Sequence, residues 1–231
     1  MNPYIINSTK SPFFPDSLTP DNYGLVALGG NLSPGMLIEA YSNGIFPWSG
    51  EDPIPWYSPD PRLVLFPGNF HVSESLTKII SKRIFEIKTD TQFNAIIRGC
   101  SHIKRRGQRG TWIDENIIHA YEQLFDLGIA HSVEVFFNGE ICGGLYGLAL
   151  GKCFFGESMF SKEPNASKIA LYYLTRFLMS MNFLLIDCQQ VTPHMISLGA
   201  IPILRLNFLT YLKVARVSEI EKIKWNFIGE Q

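Results

Sequence analysis

The sequence has no apolar run of about 18 residues, the length that a membrane-spanning helix requires. Its best candidate, Ile141 to Gly151, is short and interrupted by glycine. The first ten residues, MNPYIINSTK, lack a charged segment followed by an apolar one and do not read as a signal peptide. Cysteine is sparse, at positions 100, 142, 153 and 188, and the spacings match no metal motif. These four residues read as reduced, mostly buried thiols of a cytoplasmic protein. The five histidines are scattered, with no HExxH pair, so no metal site is expected. Internal repeats and low-complexity tracts are absent.

An excess of positive charge is also missing. Lys+Arg is 20 and Asp+Glu is 21, a net charge of −1, which on its own argues against nucleic-acid binding. The charge is unevenly spread. Residues 1–62 hold two basic groups, Lys10 and Arg62, against six acidic ones. From Thr91 to Trp112 there is no acid, but there are five bases: Arg98, Lys104, Arg105, Arg106 and Arg109. Together with Lys78, Lys82 and Arg83 they could form a surface that tracks phosphates. A solvated loop without a task is the competing reading. The hydrophobic fraction of 46% supports a real core.

Eleven of the 14 prolines lie in residues 1–67, which read as a small, irregular, Pro-rich N-terminal domain. Ser33-Pro34 starts one helix there, and Gly44 ends it. Phe46 to Pro61, with five prolines and two tryptophans, is expected to lack regular structure and to be braced by buried aromatics. Residues 68–231 read as a second domain. Helices are expected from Ser73, over 92–103 and from Asp114 to Gly128, with a strand at 84–89. SVEVFF, ICGGLYGLAL and CFFGESMF then form a meander, with Asn138-Gly139 as its hairpin turn. A largely buried helix over 165–181, the strand LLIDCQQ, a short helix at 194–198, a short strand at 203–206 and a helix over 208–217 complete the pattern. This is an α/β (α+β) sandwich with a mixed sheet, and its element order is that of acetyltransferase-like (GNAT-type) domains.

Polar groups break the apolar pattern at three points. Glu157 follows Phe154-Phe155-Gly156, Asp187 ends Leu184-Leu185-Ile186, and Gln189 lies two residues on, on the same strand face as Asp187. A buried lone carboxylate is costly, so each needs a partner. A strand-end cap is the bland reading for Asp187. Trp48, Trp56 and Trp112 neighbour glycine, proline or basic residues. Such indoles suit base stacking, whereas bracing an irregular segment is the better reading for Trp56. No glycine occurs between Gly156 and Gly199, and SKEPNASK stands where a coenzyme-A loop would carry glycines. An acyl donor other than coenzyme A is therefore indicated.

Ten motifs occur in order: GLVALGGNLSP, AYSNGIFPW, WYSPDPR, GTWI, AHSVEVF, GGLYGLALG, FFGESMFS, NASK, IDCQ and SLGA. From Gly24 to Phe208 the chain resembles the leucyl/phenylalanyl-tRNA–protein transferase family. The resemblance implies an enzyme of the N-degron pathway without metal or cofactor, and a cytoplasmic monomer is expected. It would move Leu, Phe or, less efficiently, Met from aminoacyl-tRNA to proteins with N-terminal Arg or Lys, marking them for degradation. It implies Asp187 and Gln189 as the catalytic pair, with Glu157 near the reacting centre. Trp48 and Trp112 would hold the terminal adenosine, and Leu145, Phe154, Met159, Leu171, Leu174 and Ile186 would form the donor pocket. Asp187 would bind the Gln189 amide or the incoming amine, and Glu157 could pair with the acceptor's cationic side chain. Asn31 stands where GGD is usual, and Tyr57 replaces a second Trp. A coenzyme-A-dependent acetyltransferase and a non-catalytic tRNA-binding module are the alternative readings.

Overall fold

The computed structural model describes residues 3–6, 14–15, 19–102, 112–216 and 225. Near the start lie β1 (Tyr4–Ile6), β2 (Leu25–Gly29), α1 (Pro34–Ser42), β3 (Phe46–Pro47) and β4 (Pro55–Tyr57). Their strands form a sheet of order β1-β2-β4-β3. The stretch from Phe46 to Pro61 therefore holds two short strands, contrary to the irregular structure expected from its prolines. The prolines sit where a sheet accepts them: Pro47 is on the edge strand and Pro55 opens β4. Trp56 is fully buried, and its Nε1 donates to the Gly29 carbonyl at 2.8 Å.

The remaining strands are β5 (Arg62–Leu65), β6 (Glu86–Thr89), β7 (Ala130–Phe137), β8 (Glu140–Leu150), β9 (Cys153–Ser161), β10 (Leu185–Gln189) and β11 (Ile201–Ile203). They build a seven-stranded mixed sheet of order β11-β5-β10-β9-β8-β7-β6. Arg62–Leu65, on the N-terminal side of the boundary read at residue 67, pairs within this sheet between β10 and β11. The helices are α2 (Glu74–Ser81), α3 (Phe93–Ser101), α4 (Glu115–Asp126), α5 (Ala166–Ser180), α6 (Pro193–Ser197) and α7 (Arg205–Ala215). Ser33, Ser73 and Asp114 cap α1, α2 and α4 by accepting backbone N–H bonds. The strand expected at 203–206 lies earlier, because α7 already begins at Arg205. Among the described residues, no helix is long and apolar enough to cross a membrane.

The large sheet is buried on both faces, so its strands read as nearly continuous apolar runs. Neighbouring residues go to opposite cores. Val64, Tyr146, Leu148, Phe155 and Leu185 join one core, with α1, α3 and α4. Leu63, Leu65, Leu145, Phe154 and Ile186 join the other, with α5. At the β7–β8 hairpin, Asn138 and Gly139 both take positive φ, 51° and 82°, as an Asn-Gly turn requires. Cys100, Cys142 and Cys153 are buried and Cys188 is half-buried.

Candidate active site

The site arises where two parallel strands part. β9 and β10 pair from Cys153↔Leu185 to Phe155↔Asp187, and the pairing ends there. Each strand then shifts register against its other neighbour, β9 between Gly156 and Ser158 and β10 between Asp187 and Gln189. Gln189 takes φ 60°. A Cβ on Gly147 would lie 2.1 Å from the Phe155 carbonyl oxygen, so glycine is required at this crowded point. Ligands of open α/β sheets commonly sit at such strand carboxyl ends.

A cavity of about 480 Å³ occupies the gap. Its walls come from both cores, with Leu145 and Tyr146 contributing from opposite faces of β8. All six apolar positions of the expected donor pocket line it: Leu145, Phe154, Met159, Leu171, Leu174 and Ile186. Glu157, Gln189, Trp48 and Trp112 line it as well. Trp48 is 38% exposed and lies against Tyr57, with ring centroids 5.1 Å apart. Phe46, Cys188, Thr192, His194 and Met195 are further lining groups that the sequence reading did not single out. Burial pushes the Cys188 thiol upward, making it a poor nucleophile. Burial and Lys168 lower the His194 pKa.

Asp187 does not line the cavity. It is fully buried behind it, in a bidentate pair with Arg62: Nε to Oδ1 at 2.8 Å and Nη2 to Oδ2 at 2.5 Å. Arg62 also donates to the Gly44 carbonyl at 3.0 Å and lies over the Phe46 and Phe208 rings. Asp187 Oδ1 accepts the Gln189 backbone N–H at 2.9 Å. The Gln189 side-chain amide goes elsewhere, donating from Nε2 to Glu157 Oε1 at 2.8 Å. Thus Asp187 holds Gln189 by its backbone N–H, where the sequence reading anticipated the Gln189 amide or the incoming amine.

Glu157 is 9% exposed. Oε1 accepts from the Tyr41 hydroxyl at 2.7 Å, and Oε2 from the Tyr121 hydroxyl at 3.1 Å. The two tyrosine hydroxyls also bond to each other. Burial pushes the Glu157 carboxyl up to about 7, outweighing the tyrosine hydrogen bonds that lower it; Asp187 raises it further and Arg62 lowers it. Burial and the Glu157 charge push both phenols well above their ordinary value.

Of the basic candidates, Lys78, Lys82 and Arg83 are exposed and none lines the cavity. Lys104, Arg105, Arg106 and Arg109 lie outside the described residues. Arg62, Tyr41 and Tyr121 were missed in the sequence reading. An arginine in the otherwise apolar stretch Arg62–Leu65 was the available signal for the first. The tyrosines sit on ordinary apolar helix faces and gave none.

An apolar pocket, a hydrogen-bonded amide and carboxyl, and accessible indoles suit a transferase whose donor has an apolar end. The family model for leucyl/phenylalanyl-tRNA protein transferase matches residues 64–213, and that for its N-terminal domain matches residues 30–60. The chain is 50% identical to the leucyl/phenylalanyl-tRNA–protein transferase of Nitrosospira multiformis, over 100% of this chain and 99% of that one. It is 45% identical to that of Myxococcus xanthus, over 96% and 95%. The chain belongs to the leucyl/phenylalanyl-tRNA–protein transferase family and is an aminoacyltransferase. Among solved structures, a GCN5-related N-acetyltransferase from Kribbella flavida matches with a TM-score of 0.37 and 13% identity, covering 73% of this chain and 60% of that one. A conserved protein of unknown function from Staphylococcus epidermidis matches with a TM-score of 0.41 and 11% identity, covering 78% and 67%.

Proposed function

We propose that the chain transfers Leu, Phe and, less efficiently, Met from aminoacyl-tRNA to the N-terminal Arg or Lys of proteins in the cytoplasm, acting as a monomer and marking those proteins for degradation. The observation that carries this reading is the single cavity in which the six apolar positions, two indoles, Glu157 and Gln189 meet. The donor side chain would enter the apolar part, where shape sets the preference. One methylene there is worth only about 1–3 kcal/mol, so Met is a weak donor and not an excluded one. Trp48 and Trp112 would stack on the terminal adenosine.

The aminoacyl ester is already activated, so the enzyme's task is to position a neutral amine against the carbonyl carbon. With its Nε2 tied to Glu157, Gln189 presents its Oε1 as an acceptor that orients the amine N–H. Asp187 acts one step back, fixing the Gln189 backbone. The donors to Glu157 are neutral, two phenols and an amide, which favours a proton-handling role over a fixed ion pair with the acceptor's side chain.

The test is transfer of labelled Phe from Phe-tRNA to a protein with N-terminal Arg, alongside labelled acetyl-CoA and an acceptor with N-terminal Ala. Transfer from Phe-tRNA to the Arg acceptor alone is expected. Transfer from acetyl-CoA alone would sink the reading, and transfer from neither donor would favour a tRNA-binding module.

A further inference from the structure

Glu157, Tyr41 and Tyr121 form a triangle of three hydrogen-bond contacts: Tyr41 to Oε1, Tyr121 to Oε2, and tyrosine to tyrosine. Protons can be counted around it. Each phenol carries one. With Glu157 ionised, two protons serve three contacts, and one edge lacks a donor. With Glu157 protonated, three protons serve three contacts and the ring closes: Oε2–H to Tyr121, Tyr121 to Tyr41, and Tyr41 to Oε1. The phenols come from α1 and α4, are fully buried, and do not line the cavity, whereas Glu157 does.

We propose that this ring takes up the proton that the acceptor's N-terminal ammonium must lose, with Glu157 as the base and Tyr41 and Tyr121 as positioning residues that set its proton affinity. The proposal rests on the functional reading above. Glu157 Oε2 accepts from Tyr121 alone and keeps a lone pair for an incoming N–H; the proton gained there turns toward Tyr121 as that hydroxyl swings to Tyr41, which closes the ring. The step balances. The ammonium gives one proton to the Glu157 carboxylate and becomes a neutral amine. Its lone pair forms the new C–N bond, and the bond from the carbonyl carbon to the ribose oxygen breaks. The ribose oxygen leaves with that electron pair and gains a second proton from the attacking nitrogen. Protonated Glu157 then releases its proton to solvent.

The affinities match. N-terminal amines titrate near 7.7–8.0, and burial pushes Glu157 up to about 7, so transfer between them is close to balanced. The other charged or titratable groups facing Glu157 are Asp187 and Arg62, already paired with each other. His194, Cys188 and Tyr146 share the cavity lining, and Tyr146 packs edge-on against Tyr121 with ring centroids 5.7 Å apart.

Infrared difference spectra between the protein and its Glu157→Gln variant isolate the carboxyl stretch of protonated Glu157, which is followed against pH. A titration close to neutrality is expected. In Tyr41→Phe and Tyr121→Phe it should move to higher pH, because each phenol's hydrogen bond holds the carboxyl down and the ring edges that the protonated form loses are weaker neutral ones. The acid limb of single-turnover transfer should move with it, with activity falling about tenfold per pH unit below the midpoint. A purely structural role would lower transfer equally at all pH values. Melting curves check that each variant folds, and the two phenylalanine variants are independent of one another. An unmoved midpoint and acid limb in both would overturn the ring, as would the absence of a protonated carboxyl signal near neutral pH. A protein that titrates as expected but transfers nothing would overturn the functional reading instead.

Discussion

Asp187 and Glu157 stand at the parting ends of two adjacent strands, and the fold treats these two carboxyl groups in opposite ways. Asp187 meets a guanidinium in a bidentate pair that is sealed on all sides. Glu157 meets only neutral donors: two phenols and an amide. A charged partner locks a carboxylate in place and suits it to hold a backbone. Neutral partners leave the proton affinity to burial, which suits a group that must exchange a proton. The titrating group thus lines the cavity, and the fixed one holds Gln189 from behind it.

The largest effect should come from breaking the fixed side. Arg62→Ala strands the Asp187 charge in the core and should cost about 3–5 kcal/mol in denaturant unfolding. Replacing both partners by apolar residues, Arg62→Met with Asp187→Leu, should recover much of that loss. A double variant no more stable than Arg62→Ala would mean that the pair stabilises beyond mutual neutralisation.

Asp187→Asn tests what the pair does for catalysis. It retains an acceptor for the Gln189 N–H but loses the grip of Arg62. Single-turnover transfer should fall by roughly 100-fold, the scale of a small misplacement, while tRNA affinity barely changes. Near-normal turnover would remove Asp187 from its positioning role.

The titrating side makes a stability prediction with the opposite sign to an ordinary ion pair. The Glu157 carboxyl is raised from 4.5 to about 7 on folding. Between those values the native state binds more protons than the unfolded chain, so stability is lost as pH rises through the window. Between about pH 5 and pH 8 the protein should lose up to about 3 kcal/mol more than its Glu157→Gln variant. Parallel pH–stability curves for the two would show that Glu157 titrates like a solvent carboxylate.

The smallest effect lies outside the cavity. Neutralising Lys78, Lys82 and Arg83 together should leave both groups untouched and flatten the salt dependence of tRNA binding by about 0.7–0.9 per lost phosphate contact. An unchanged slope would make that face a bystander.

Much of the fold could be read from the residues. Serine and aspartate caps, the Asn138-Gly139 turn and the apolar runs of β7 to β10 are local signals with local causes. The small sheet was less legible. Its strands are two to five residues long and two contain proline, so periodicity had little to act on. At the site, Glu157, Asp187 and Gln189 stood out because each is polar within an apolar strand. Their partners did not: Arg62 lies 125 residues before Asp187, and Tyr41 lies 116 before Glu157.

By itself, the sequence determined the helices, most strands of the large sheet and the polar interruptions in β9 and β10, which follow from local propensity and side-chain chemistry. Its ordered motifs carried the family, and with the family the expected apolar positions of the pocket. Only the tertiary structure decided that β9 and β10 part after Phe155↔Asp187, that Asp187 is sealed against Arg62, and that Glu157 faces two phenols. Those outcomes depend on burial and on contacts between distant segments, and burial is what separates one carboxyl group from the other.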